Sequence, residues 1–354
     1  MTTMTGDERP SRSRQLTDER TGPRPVQPVQ PVQRDDVQRA ELRFCVASLE
    51  VLVRADDPGG LDGLGGFYRD YPSSRRQPDV IVEIERVPGF RSGHQRTADY
   101  PGFHKRVLAP GRIALERFDA VGEVEVPPEP SSGPVVGRFT VAENPNSLEA
   151  AVRIGVSSAL PRLGGVVLHA SAVARDDRCL LFAGVSGAGK STIASLLTTP
   201  QPGSDAGETG DSAPPFTAIS DELVILRPAR PGPASPGRDG PDSLAPADSG
   251  KTDDDDRVWC AHVTPFVGSQ DLPHGARVPL AGVHFLAQAP YHRRRPVARK
   301  DAVRELLKHV LAYIGDPATA SGLLDIAVDL CARVPCYELE FSKDLGVLEV
   351  LDVT

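Results

Sequence analysis

Gly184, Val185, Ser186, Gly187, Ala188, Gly189, Lys190 and Ser191, with Thr192 following, fit the pattern GxxxxGK[ST] without a mismatch. Residues of these types at this spacing grip a polyphosphate. Glycines let successive backbone N–H groups turn toward phosphate oxygens, and the N-terminus of the following helix adds partial positive charge. Lys190 is expected to reach the β- and γ-phosphates, and the Ser191 hydroxyl to coordinate Mg²⁺. Downstream, Phe216 to Leu226 reads FTAISDELVIL, an apolar strand interrupted by Asp221 and Glu222. Two carboxylates inside such a run are costly to bury without a cation, so bound Mg²⁺ or a substrate proton is their expected partner. Upstream stands His169, which would either assist proton transfer, bind phosphate or pack in the core.

The elements that must position these groups are legible around them. VVLHASAVAR (Val166 to Arg175) and CLLFAG (Cys179 to Gly184) are apolar strands separated by Asp176, Asp177 and Arg178 alone. So short a connection excludes a parallel crossover and predicts an antiparallel hairpin leading into the glycine loop. STIASLL continues from the loop as a helix.

HASAV, GVSGAGKST and ISDELVIL, in that order, resemble the C-terminal catalytic domain of HPr kinase/phosphorylase and its shorter relatives, a fold related to the ATP-dependent phosphoenolpyruvate carboxykinases. HVTPFVG (His262 to Gly268) and VPLAGVHFLAQAP resemble the relatives' Thr-Pro-aromatic element and Pro-Leu-led strand, so the likeness covers roughly residues 160–345. The resemblance implies an α/β P-loop kinase domain with a mixed sheet, in which Gly184 to Thr192 hold ATP and Mg²⁺. It puts His169 at the family's active-site histidine, and Asp221 and Glu222 at its paired-aspartate motif. One carboxylate would take the proton of the acceptor hydroxyl and the other, with Ser191, would serve the metal; which does which stays open, because the second acid is glutamate here. No counterpart of the Glu-Ile-Arg-Gly stretch of the bifunctional enzymes occurs. Arg277, ahead of the Val-Pro-Leu strand, is the candidate for stabilising charge on the transferred phosphoryl group. The implied activity is phosphoryl transfer from ATP to a hydroxyl, with serine of a protein or peptide as the expected acceptor. The alternatives are a nucleotide-binding regulator of a peptide-modifying pathway without catalysis, and a small-molecule kinase. Relatives often form rings, which leaves a homo-oligomer open.

The rest of the 354 residues divides into three expected parts. Residues 1–39 contain the triplet repeat PVQPVQPVQ and read as a disordered tail. Residues 40–146 read as a small strand-rich α+β domain, with strands in RFCVASLEVLVRA, DVIVEIERV, RIALERF and VVGRFTVA, and a weak helix in LDGLGGFYRDY. Residues 147–354 form the P-loop domain, with mobile inserts at 198–215 and 227–256. Helices are expected from Ser147, as N-cap, to Gly164, over Asp301 to Gly315, and over Ser321 to Val334, with strands in CYELEFS and GVLEVLDV. His309, on the second helix, reads as a surface or packing residue. Glycine and proline number 33 and 34, which matches a chain rich in loops, and a net charge of −8 argues against a general nucleic-acid binder. No apolar run approaches a membrane span, and no secretory leader is read, so a cytoplasmic protein is expected. Five scattered cysteines without CxxC spacing predict neither a zinc site nor a disulfide framework, but small buried hydrophobes.

Overall fold

The computed structural model describes residues 39–64, 68, 71, 73, 77–93, 103–199, 216–229, 257–266, 272–313 and 315–351. The expected tail up to residue 38, most of LDGLGGFYRDY, and residues 200–215 and 230–256 of the two expected inserts lie outside them. The architecture is mixed α/β, with two mixed sheets and few helices.

In the first sheet, β1 (Ala40–Val46) and β2 (Leu49–Ala55) form a hairpin. Its two turn residues, Ala47 and Ser48, have φ of 48° and 66°, the backbone sign that a type I′ turn demands at both positions. β3 (Val80–Val87) and β7 (Val135–Ala142) join in parallel. β6 (Ala120–Glu125), β5 (Arg112–Arg117) and β4 (His104–Ala109) then complete the order β1-β2-β3-β7-β6-β5-β4. Alternation decides the buried face: Val80, Val82 and Ile84 point into a core shared with Leu148, Ala151, Val152 and Ile154 of helix α1 (Pro145–Ala159). The cap of α1 is Asn144, not Ser147. Its side chain accepts the Ser147 N–H at 2.9 Å, and Pro145 occupies the first turn, where a missing N–H costs nothing.

The second sheet contains β8 (Val166–Arg175), β10 (Thr217–Ser220), β11 (Leu223–Ala229), β12 (Val258–His262), β13 (Arg277–Gln288), β14 (Arg293–Pro296) and β15 (Cys336–Phe341) in the order β10-β8-β11-β12-β13-β15-β14. β9 (Arg178–Ala183) pairs antiparallel with β8, as the short connection requires, and parallel with β13. The ladders therefore close a circuit through β8, β11, β12, β13 and β9. One face of β8 and β11 (Val167, Leu223, Ile225) joins the core beneath α1. The opposite face (Val166, Leu168, Val224, Leu226) joins a core covered by α3 (Arg299–Leu307) and α4 (Pro317–Arg333).

Seven elements differ from expectation. The helix expected over Asp301 to Gly315 starts earlier and ends at Leu307. Beyond it, Val310 forms an antiparallel bridge with Leu168, and the segment runs extended along β8. GVLEVLDV is a 3₁₀-helix over Leu345–Val350 rather than a strand, opened by Asp344, whose side chain accepts the Gly346 N–H. Arg227–Ala229 belong to β11, not to the second insert. β4, β6 and β14 carry too many charges to show a clean alternation, β14 being Arg-Arg-Arg-Pro on a sheet edge, and β12 is a short, continuously buried run. Among the described residues no helix is long and apolar enough to cross a membrane.

Two histidines are locked inside. His284 lies between Phe182 and Tyr337, with ring centroids 5.4 and 5.3 Å away, and His262 is equally enclosed. Burial, aided by Arg294, pushes His284 down to about 3; burial, aided by Arg227 and Arg277, pushes His262 down to about 3. Both stay neutral in the folded chain, whereas the unfolded chain protonates them near pH 6.5. The unfolded state thus binds more protons below about pH 6.5, and stability falls as pH drops from there toward about 3. Each histidine contributes a slope of about 1.4 kcal/mol per pH unit. Urea midpoints measured across this range are expected to decline steeply, and His284→Phe to remove about half of the two-histidine slope.

Candidate functional site

β9 delivers the chain to the glycine loop, and helix α2 (Lys190–Thr198) receives it. Two turns of the backbone demand glycine: Gly187 has φ +81° and Gly189, the N-cap of α2, φ +104°. A Cβ on Gly189 would also lie 2.7 Å from Phe341 Cζ. Gly189→Ala is therefore expected to lower stability by roughly 1–3 kcal/mol, and to weaken nucleotide binding as the loop is displaced. Urea unfolding and calorimetric titration read the two effects. Loop position is fixed from outside as well. Gln288 Nε2 donates to Gly187 O at 2.6 Å, and Ser171 Oγ of β8 donates to Lys190 O at 3.0 Å.

The backbone N–H groups of Ser186, Gly187, Gly189, Lys190 and Ser191 donate to no protein group among the described residues, and α2 has no side-chain cap. Lys190 is buried and donates Nζ to Gly184 O at 2.8 Å and to Val185 O at 3.2 Å. Loss of water lowers its pKa. The Ser191 side chain is exposed and, among the described residues, has no hydrogen-bond partner. Unpaired amides, an ammonium and a free hydroxyl around one turn make a fitting cradle for the phosphates of ATP, and the hydroxyl for Mg²⁺. Val185, Ala188 and Thr192 complete the loop, Val185 exposed and Ala188 buried with its N–H on Val185 O.

The acidic pair lies across one strand from this turn. Ala170 of β8 pairs with Ala183, the last residue before the loop; on the other edge of β8, the Ala170 N–H donates to Glu222 O at 3.1 Å, and Leu223 pairs with His169. Asp221 and Glu222 occupy the irregularity between β10 and β11, so two strand spacings, about 10 Å, separate their backbone from the end of β9. The two acids differ. Glu222 is held by Arg153, with Nη1 to Oε1 at 3.2 Å, whereas the Asp221 carboxylate has no hydrogen bond or ion pair among the described residues.

Three further groups complete the surroundings. His169 has an exposed side chain; lost hydration and then the Lys190 ammonium push its pKa down, so the imidazole is neutral. His309 is not on a helix. Its carbonyl accepts the His169 N–H at 2.8 Å, in the slot beside β8 that β9 vacates at Gly184. Its buried ring lies 3.5 Å from Glu305, and burial pushes its pKa down, with Lys190 adding to the effect. Arg153 reaches over from α1, bonded also to Glu149 Oε1 at 3.0 Å and lying over the Phe266 ring at 5.6 Å.

Sequence reasoning missed Arg153 and His309. The first had a signal: Glu149 and Arg153 are the two charges of α1, four residues apart on a helix otherwise fit for burial. The second had none, since no glycine or proline marks the end of α3. Arg277 is a correction. It pairs with His262 at the start of β13, about eight residues and roughly 25 Å of strand before Phe285, the neighbour of Ala183. It stands at the wrong end of the sheet to meet a phosphoryl group in the loop.

Among the described residues no group of three or more His, Cys, Asp or Glu side chains is arranged to hold a metal by itself, so a cation here needs ligands from the phosphates or from Ser191. Comparison with protein-family models and with curated proteins gives no match for this chain.

Proposed function

We propose that this chain is a Mg²⁺-dependent kinase that transfers the γ-phosphate of ATP to a hydroxyl, serine of a protein or peptide, on a P-loop domain of the HPr kinase/phosphoenolpyruvate carboxykinase type. The observation that carries the reading is the set of loop amides around Lys190, faced across β8 by the Asp221 carboxylate, none of which has a hydrogen-bond partner among the described residues. Under it, the amides of Ser186 to Ser191 and the Lys190 ammonium hold the β- and γ-phosphates. Giving up its two carbonyl partners leaves Lys190 free to turn toward them. Ser191 and Glu222 are the residues that would hold Mg²⁺, which supplies neutralisation of phosphate charge. Glu222 suits that part because Arg153 fixes one side of its carboxylate while the side chain stays half exposed.

Asp221 is then the base. It accepts the proton of the serine hydroxyl as the oxygen bonds to phosphorus and the bond to the ADP oxygen breaks. His169, neutral beside Lys190, can donate a hydrogen bond to a phosphate oxygen without competing for the proton. Most of the acceleration comes from positioning and charge neutralisation. The test is incubation of the full chain with MgATP and serine-containing peptides, read by intact mass and ADP release. A gain of one phosphate, absent from peptides with alanine in place of serine, is expected; ATP binding without any turnover would instead leave a nucleotide-binding module.

A further inference from the structure

The end of α4 and the start of β15 carry a second chemical feature, separate from the phosphate loop. A cavity of about 420 Å³ there is lined by Arg299, Cys331, Cys336 and Tyr337, among others. Cys331 sits in the last turn of α4 and Cys336 is the first residue of β15, with Ala332, Arg333, Val334 and Pro335 between them. That junction is pinned at both sides: the Val334 N–H donates to Leu330 O at 2.8 Å, and Pro335 O accepts the Val283 N–H at 3.0 Å. Both thiols are nearly buried, each 7% exposed, and both line this cavity as neighbours, Cys336 Sγ donating to Val334 O at 3.5 Å.

Burial ordinarily makes a thiol inert by raising its pKa, and it does so for Cys179 and for Cys260, the latter pushed up to about 11. Cys331 moves the other way. The Cys336 thiol beside it lowers it most, against burial, and the Arg299 guanidinium lowers it further. Cys336 is raised, chiefly by the same contact, and stays a thiol. One sulfur is thus prepared to attack and its neighbour to resolve.

We propose that Cys331 and Cys336 form a hydroperoxide-oxidised dithiol that closes to an intrachain disulfide. In the first step the Cys331 thiolate attacks one oxygen of hydrogen peroxide. The O–O bond breaks, sulfur gains OH as a sulfenic acid, and the leaving hydroxide takes a proton to become water. In the second step Cys336 sulfur attacks Cys331 sulfur. The S–O bond breaks, and the departing OH leaves as water with the Cys336 proton. Two thiols are oxidised by two electrons and one peroxide is reduced to two waters.

The test treats the full chain with hydrogen peroxide, alkylates remaining thiols after denaturation, and maps the peptides by mass. A loss of two hydrogens with a 331–336 linkage is expected, reversed by dithiothreitol, while Cys179 and Cys260 stay alkylated. Cys336→Ser should stop at a Cys331 sulfenic acid captured by dimedone, and Cys331→Ser should slow peroxide consumption at least about tenfold. Full alkylation of both residues after peroxide, or oxidation spread equally over Cys179 and Cys260, overturns the proposal. The wild-type mass map decides even if a variant folds poorly.

Discussion

Lys190→Ala is expected to weaken MgATP binding by roughly 100-fold. A charge-assisted hydrogen bond contributes about 1.5–3 kcal/mol, and the ammonium would meet two phosphate groups. Part of that gain is offset, because Nζ must leave Gly184 O and Val185 O to reach them. A net loss of about 2.7 kcal/mol corresponds to two powers of ten in Kd. The fold should tolerate the change, since a desolvated ammonium is removed and the two carbonyls sit beside an exposed loop. Isothermal titration on the full chain, with thermal unfolding as the control, reads both. An unaltered Kd in a folded variant removes the polyphosphate reading, and with it the proposed kinase.

Asp221→Asn is expected to separate binding from chemistry. The amide keeps the shape of the carboxylate and loses its basicity, so affinity for MgATP should stay within about threefold while turnover drops by 10²–10⁴, roughly the share of a general base. Glu222→Gln should behave differently. It dissolves the ion pair with Arg153 at 3.2 Å and removes charge near the metal ligands, so both the Mg²⁺ requirement and turnover should shift. Rapid-quench ADP formation at saturating MgATP distinguishes them. If Asp221→Asn turns over normally and Glu222→Gln does not, the base is Glu222, and the free carboxylate at 221 has no part in proton transfer.

Much of the site could be read from residue order. A three-residue gap between apolar strands forces a hairpin, and that hairpin places His169 beside both the glycine loop and the acids. Strands with clear alternation, such as β3 and β7, were equally plain, as was the continuous apolar run of β8. What local pattern could not deliver depends on distant partners. Val310, Ala312 and Leu311 suit a helix or a strand, and only the vacancy along β8 beyond Gly184 selects the extended form. β14 holds its place through Arg293–Glu340 and Arg295–Glu338 pairs across the ladder, not through an apolar face. Arg277 resembled a site residue because it precedes a strand bound for the loop; a long strand separates its two ends by more than any side chain spans.

Arg153 is rooted in the helix that roofs the first sheet, yet its guanidinium clasps an acid belonging to the second. The strands before residue 145 are therefore no detachable ornament. A chimera that exchanged them together with α1 for an unrelated scaffold would have to resupply a cation at the same height above Phe266, or leave Glu222 untethered and the Val167, Leu223 and Ile225 surface wet. Inheritance of the half that bears the glycine loop is tied, through this side chain and the shared core, to inheritance of the other.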